Sequence, residues 1–231
     1  MYLDYYGLKK KPFEMSTDPD FLWLGEQHRE AMASLEHGIR QDKGFILLTG
    51  EAGTGKTVLI NRLVKSFSLR AVISTVPDPG LSRVDFFNFL ADTFRLGRRV
   101  DSRGGFLVLL KKFLLHTEAG RRKVLLLIDE AQRLNSELLE EIRLLSDIEL
   151  DGRRLMNIFF VGQPEFNDIL MQAQNKAIRQ RIGARYHLSP LSEDESSGYI
   201  LHRMRVAGSE RQVFTPKAMR EVHAVTGGNP R

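Results

Sequence analysis

The chain has no cysteine, which excludes disulfides, thiolate metal sites and cysteine nucleophiles and fits a reducing cytoplasm. It also lacks a His-x-x-x-His pair. The six histidines, His28, His37, His116, His187, His202 and His223, are scattered, which reads as structural use rather than as a metal-binding set. No apolar run reaches the ~20 residues that cross a bilayer, and the N-terminus carries charges where a signal peptide needs an apolar stretch. The 231 residues are therefore expected to be soluble. A strong charge of one sign is missing too, the net value being only +5. The basic pairs Arg98-Arg99, Arg121-Arg122 and Arg153-Arg154 fall in predicted loops, either as solvated charge or as contacts for nucleic acid or acidic lipid.

What is present centres on Gly50-Glu51-Ala52-Gly53-Thr54-Gly55-Lys56-Thr57, which fits G-x-x-x-x-G-K-[ST]. The apolar run Phe45 to Thr49 precedes it, and the amphipathic segment Val58 to Phe67 follows, so the strand–loop–helix context of a phosphate-binding loop is complete. Its glycines let backbone N–H groups turn toward a polyphosphate, and a helix starting near Gly55 adds the positive end of its dipole. Lys56 is expected to reach the β- and γ-phosphates and the Thr57 hydroxyl to ligate Mg²⁺.

The length allows one large domain, or one domain with a small appendage. Met1 to Gly25, rich in aromatics, reads as an ordered arm packed on the domain, and Glu26 to Ile39 as a helix. Arg70 to Val76 reads as a strand closed by Pro77-Asp78-Pro79-Gly80. Ser82 caps a helix to about Phe94, and after a break over Asp101 to Gly105 a further helix covers Phe106 to His116.

Val124 to Ile128 is a continuous apolar strand of the kind buried on both faces of a parallel sheet, and it ends in Asp129-Glu130. Downstream of a phosphate loop this is the form of a Walker B element, with Asp129 holding Mg²⁺ through water and Glu130 deprotonating the attacking water. Ser136 caps a helix over Glu137 to Glu149. Asp151-Gly152-Arg153-Arg154 then turns into the strand Met156 to Val161, which leaves Gln163 at a strand's C-terminal end, where parallel sheets place ligands. A helical stretch to about Gln180 leads into a last strand, Arg181 to Leu188. The alternation specifies an α/β, doubly wound, five-stranded parallel sheet with helices on both faces.

From Pro190 onward only helical patterns remain: Glu193 to Val206, then a helix opened by Thr215-Pro216 and running to Thr226. The expected division is residues 1–190 as the nucleotide-binding domain with its arm and residues 191–231 as a small helical lid. Gly227 to Arg231 reads as a helix stop followed by a new start, Asn229 as N-cap and Pro230 first in the helix. This predicts a lid cut short, within a longer protein.

Several stretches now add up. Met1-Tyr2…Tyr6-Gly7-Leu8…Pro12-Phe13…Asp18-Pro19…Phe21-Leu22…Gly25…His28…Ala31, Asp129-Glu130-Ala131-Gln132, Val161-Gly162-Gln163-Pro164-Glu165 and Gln180-Arg181-Ile182 all match one family. The chain resembles the AAA+ ATPases, specifically the secretion-type ATPases of the ExeA/GspA and MshM kind, over essentially its whole length. The resemblance implies ATP as the nucleotide, held by Gly50 to Val58 together with Arg231, the lid arginine called sensor 2. It implies that Leu24 to His28 line the adenine pocket, that Gln163 is sensor 1, facing the γ-phosphate or the water, and that Arg181 is the arginine finger inserted into a neighbour's site. Arg179 and Arg185 lie close enough to leave that choice open.

The implied function is ATP hydrolysis driving a conformational cycle of a homo-oligomer that serves a secretion or pilus-type envelope apparatus. Its place would be cytoplasmic, at the inner face of the membrane through a C-terminal part that these residues do not include. Two other readings stay open. One is a DNA-associated ATPase of the transposition-regulator kind, using the basic loops around Arg98 and Arg121; the other is a slow, nucleotide-gated oligomeric switch. Asp-Glu-Ala-Gln is shared with helicase motif II, but no second RecA-like domain follows, which disfavours a processive helicase.

Overall fold

The structure, a computed structural model, describes residues 2–14, 19–97 and 99–230. In chain order the strands are β1 (Phe45–Gly50), β2 (Ala71–Val76), β3 (Lys123–Ile128), β4 (Glu149–Leu150), β5 (Arg153–Arg154), β6 (Asn157–Gly162) and β7 (Ile182–Leu188). The helices are α1 (Tyr2–Tyr6), α2 (Glu26–Arg40), α3 (Lys56–Phe67), α4 (Arg83–Thr93), α5 (Arg103–Ala119), α6 (Ser136–Leu145), α7 (Glu165–Met171), α8 (Lys176–Arg181), α9 (Glu193–Val206) and α10 (Pro216–Thr226). Among the described residues five strands form one sheet in the order β2-β3-β6-β1-β7, parallel at every pairing. The doubly wound α/β architecture is as expected.

Successive strand residues face opposite sides, so an unbroken apolar strand requires cover on both. On one side Phe45 and Leu47 of β1, Leu126 and Ile128 of β3 and Ile158 and Phe160 of β6 pack with α4 to α7. On the other, Ile46 and Leu48, Leu125 and Leu127, and Phe159 and Val161 pack with α2 and α3. Each core face therefore takes alternate residues of the same three strands. A third cluster joins Leu8 and Phe21 of the arm to Ile200, Met204, Ala207 and Met219 of α9 and α10, so the arm's apolar residues pack on the C-terminal helices. Buried Arg203 fastens them further, with its guanidinium over the Phe21 ring and donating to the Pro12 and Glu14 carbonyls.

Several boundaries differ from the sequence reading. The helix expected from Phe106 begins at Arg103, because the Ser102 hydroxyl accepts the Gly105 N–H and so caps the helix ahead of the two glycines. Asn135 rather than Ser136 caps α6, its Oδ1 accepting the Leu138 N–H at 2.8 Å. That helix ends at Leu145, short of Glu149. Asp151 and Gly152, at φ 52° and 73°, make a two-residue turn that draws Glu149 and Leu150 into a hairpin with Arg153 and Arg154. Part of the arm is helical (α1), and Arg181 closes α8 instead of opening the last strand.

Candidate active site

Parallel pairing brings the C-terminal ends of the strands to one edge, and the strand order puts β3, β6 and β1 side by side there. Thr49 is level with Gly162, and Phe160 with Ile128, so the loops after residues 50, 128 and 162 meet although they are far apart in sequence. The loop after β1 turns through Gly53 and Gly55 at φ 87° and 95°, conformations that L side chains resist. Gly55 is the N-cap of α3 and Lys56 its first residue. At Gly50 the constraint is space, since a Cβ would lie 2.5 Å from the Leu188 carbonyl oxygen and 2.9 Å from Thr54 Oγ1. Lys56 Nζ donates to the carbonyls of Gly50 (2.7 Å) and Glu51 (2.9 Å), folded back onto its own loop. Thr57 and Val58 are exposed on the first turn of α3.

Asp129 and Glu130 follow β3 directly. The Asp129 N–H donates to the Val76 carbonyl, and the Glu130 N–H to Asp129 Oδ1 at 2.9 Å. Glu130 itself is left-handed, at φ 50°, which swings the chain sharply at this point. Burial pulls the Lys56 ammonium below the ordinary lysine pKa, against the opposite pull of Glu130, Asp129, Glu51 and Glu165. Burial raises the Asp129 carboxyl, countered by its bond from the Glu130 N–H and by Lys56. Gln163, half-buried after β6, gives its N–H to Gln132 Oε1 at 3.0 Å. One half-buried ammonium and two carboxylates thus converge beside the phosphate loop. This donor set fits a magnesium nucleotide: turned backbone N–H groups and an ammonium for phosphate oxygens, and the hard oxygens of Thr57 and Asp129 for the cation.

Two contacts tie the C-terminal helical segment to this region. Asn229 donates from Nδ2 to the Ala52 carbonyl of the phosphate loop at 2.7 Å. Glu195 accepts the Glu26 N–H at 3.1 Å and completes a capping box with Ser192, joining α9 to the start of α2. Within Leu24 to His28, buried His28 shares a hydrogen bond between Nε2 and the Thr54 carbonyl at 3.1 Å; its Nδ1 has no partner. Arg231 lies outside the described residues, as do Met1, Asp18 and Arg98.

Arg181 is not at this edge. Phe45 of β1 pairs with Ile182 and Gly50 with Leu188, so Arg181 precedes β7 at the end of the sheet opposite the phosphate loop. There it pairs with Asp147, and it lies 3.5 Å from Ser146 Oγ. Arg179 donates to the Leu170 and Met171 carbonyls and Arg185 to the Arg179 carbonyl. Of the basic pairs, Arg153-Arg154 lies in β5 rather than a loop; Arg153 pairs with Glu118 and Arg154 donates to the Lys43 carbonyl. Arg122 donates to the Ala71 carbonyl.

Sequence reasoning missed the placement of Gln132 and Asn229. Gln132 was visible only as the fourth residue of Asp-Glu-Ala-Gln, and no spacing rule links residue 229 to residue 52.

A doubly wound sheet with a phosphate loop after β1 and an Asp-Glu pair after β3 defines a P-loop ATPase domain. The AAA domain family matches residues 39–170, more than half of the chain, and the protein belongs to that family, as an AAA ATPase of the ExeA/GspA type. It is 38% identical over 232 residues to General secretion pathway protein A of Aeromonas hydrophila, an alignment that takes in 100% of this chain and 42% of that protein. The chain thus spans less than half of that relative's length. Among solved structures it is similar to the ORC2 protein of Aeropyrum pernix in ADPNP–ADP complexes, with TM-score 0.62, 18% identity and coverage of 96% of this chain and 68% of that one. Cdc6p of Pyrobaculum aerophilum gives TM-score 0.64 and 19% identity, covering 90% and 58%. A Thermotoga maritima RuvB gives 0.58 and 17%, covering 95% and 62%. At these identities the likeness is one of fold. No helix among the described residues is long and apolar enough to cross a membrane.

Proposed function

We propose that this domain hydrolyses ATP within a homo-oligomer in which Arg181 of one copy completes the site of the next, and that the cycle serves an envelope secretion apparatus. The first half rests on one observation: the phosphate loop and Arg181 sit at opposite ends of the same sheet. β7 spans 7 residues. At ~3.3 Å per residue this separates the two by about 20 Å, beyond the reach of an arginine side chain. A nucleotide contact by Arg181 therefore has to be made in a neighbouring copy. The second half is supported by the 38% identity to a protein named for general secretion.

In the site, Lys56 leaves the Gly50 and Glu51 carbonyls for phosphate oxygens, and the N–H groups of Gly53 to Thr57 cradle the polyphosphate. Thr57 and Asp129 hold Mg²⁺, which neutralises phosphate charge when bound. Glu130 accepts a proton from the water whose oxygen bonds to the γ-phosphorus, while the bridging oxygen departs with ADP. Gln163, just after β6, takes the sensor 1 role, and the sensor 2 role belongs to Arg231, which lies outside the described residues.

Phosphate release measured against protein concentration, with and without duplex DNA, tests this reading. A specific rate that rises with concentration and ignores DNA is expected. A rate independent of concentration removes the shared site, and one that appears only with DNA replaces the secretion role with a DNA-associated one. Glu130→Gln is expected to bind ATP and fail to hydrolyse it.

A further inference from the structure

Gln132 lies two residues beyond Glu130, on the short turn Ala131–Arg133, and its side-chain amide joins two strand ends. Nε2 donates to Glu130 Oε2, and Oε1 accepts the Gln163 N–H. The partners dictate this orientation: a peptide N–H only donates and a carboxylate only accepts, so the amide oxygen faces Gln163 and the amide nitrogen faces Glu130. The gap is built for the amide. A Cβ on Gly162 would stand 2.7 Å from Gln132 Oε1 and 3.3 Å from the Ala131 nitrogen. Glu130 departs from a left-handed backbone on a side chain with rotatable bonds of its own, so the loop alone leaves the carboxylate free to swing.

We propose that Gln132 is the positioning residue for Glu130, holding its carboxylate toward the attacking water and tying it to the β6 end that carries Gln163. A backbone shift at Gln163 on nucleotide binding then moves the Glu130 carboxylate through a single amide. An Asn would fall one methylene short, and no apolar side chain donates. This rests on the reading of Glu130 as general base. Asp129, just after β3, and Lys56 on α3 are the charged neighbours of that carboxylate.

Gln132→Glu isolates the role. It keeps the length and the acceptor for the Gln163 N–H but replaces the donor with a second carboxylate. The expected result is a kcat lower by about ten- to hundred-fold, the scale of an ångström-level misplacement, with KM within about two-fold of wild type. Gln132→Ala should lower kcat similarly, again with KM within about two-fold of wild type. An unchanged kcat, or a raised KM at unchanged kcat, in Gln132→Glu would each overturn the proposal, because a residue that positions the base acts on turnover and not on binding. If Gln132→Ala does not fold, Gln132→Glu decides alone. Glu130→Gln measured in parallel separates the two readings. If it hydrolyses ATP normally, the general-base assignment fails; if it is inactive while Gln132→Glu is normal, only the positioning role fails.

Discussion

Mixing Lys56→Ala protein with Arg181→Ala protein is expected to restore ATP turnover that neither supports alone. The first variant keeps its arginine and loses its phosphate-binding lysine; the second is the reverse. A guanidinium supplied across an interface is worth ~10³-fold or more in phosphoryl transfer, which is ~4 kcal/mol. Against this stands the release of Arg181 from Asp147, whose side chains are 31% and 42% exposed. An ion pair that open to solvent contributes about 0–1 kcal/mol, so leaving it does not offset the gain. In a random 1:1 assembly with one neighbour per site, about one site in four has an intact lysine facing an intact arginine, one half times one half. Phosphate release at fixed total protein should therefore recover to about a quarter of the wild-type rate. A mixture that stays inactive although sedimentation shows co-assembly refutes the shared site. Wild-type turnover by Arg181→Ala alone moves the role to Arg179 or Arg185.

Lys56→Ala should weaken ATP binding at least about tenfold in a fluorescent-nucleotide titration. Each charge-assisted bond to phosphate is worth ~1.5–3 kcal/mol, partly offset by the carbonyl bonds that the free lysine gives up; unchanged affinity would contradict the loop assignment. Gly50→Ala should lower stability by about 1–3 kcal/mol, since its Cβ meets carbonyl backbone that cannot move aside. Gly104→Ala, where nothing lies within 4 Å, should raise it by about 0.5–1 kcal/mol; urea midpoints for the pair test whether space or helix propensity governs each site. Burial lowers the His28 pKa, opposed by its Thr54 carbonyl bond and by Glu195, so the unfolded chain takes up a proton at higher pH than the folded one. The stability that neutral His28 contributes is complete above the unfolded value of 6.5 and is lost as pH falls below it toward the folded value. His28→Gln should flatten that slope, and a urea midpoint that falls equally steeply in wild type and variant between pH 6.5 and 5 would refute it.

Local chemistry made most of the fold legible. The phosphate loop, the apolar strands and the helices at Glu26, Ser82, Glu193 and Thr215 each depend on residues within a few positions of one another. Boundaries failed where a neighbouring cap or turn competed. Asn135 outbid Ser136 because its side chain sits one residue earlier in extended backbone, and Asp151-Gly152 recruited Glu149 into a hairpin that helical periodicity alone does not foresee.

Composition and motif spacing by themselves determined that this chain builds a nucleotide-binding α/β domain, because a glycine-rich loop between strand and helix is a contiguous device. Which distant residues meet was decided only by the tertiary structure. The strand order β2-β3-β6-β1-β7 sets Glu130 and Gln163 at one edge, where Gln132 can bridge them, and sends Arg181 to the other. Asn229 reaches Ala52, across 177 residues, only because the C-terminal helices fold back over the loop. Sheet register and helix packing are properties of the whole chain, so no local pattern encodes such contacts.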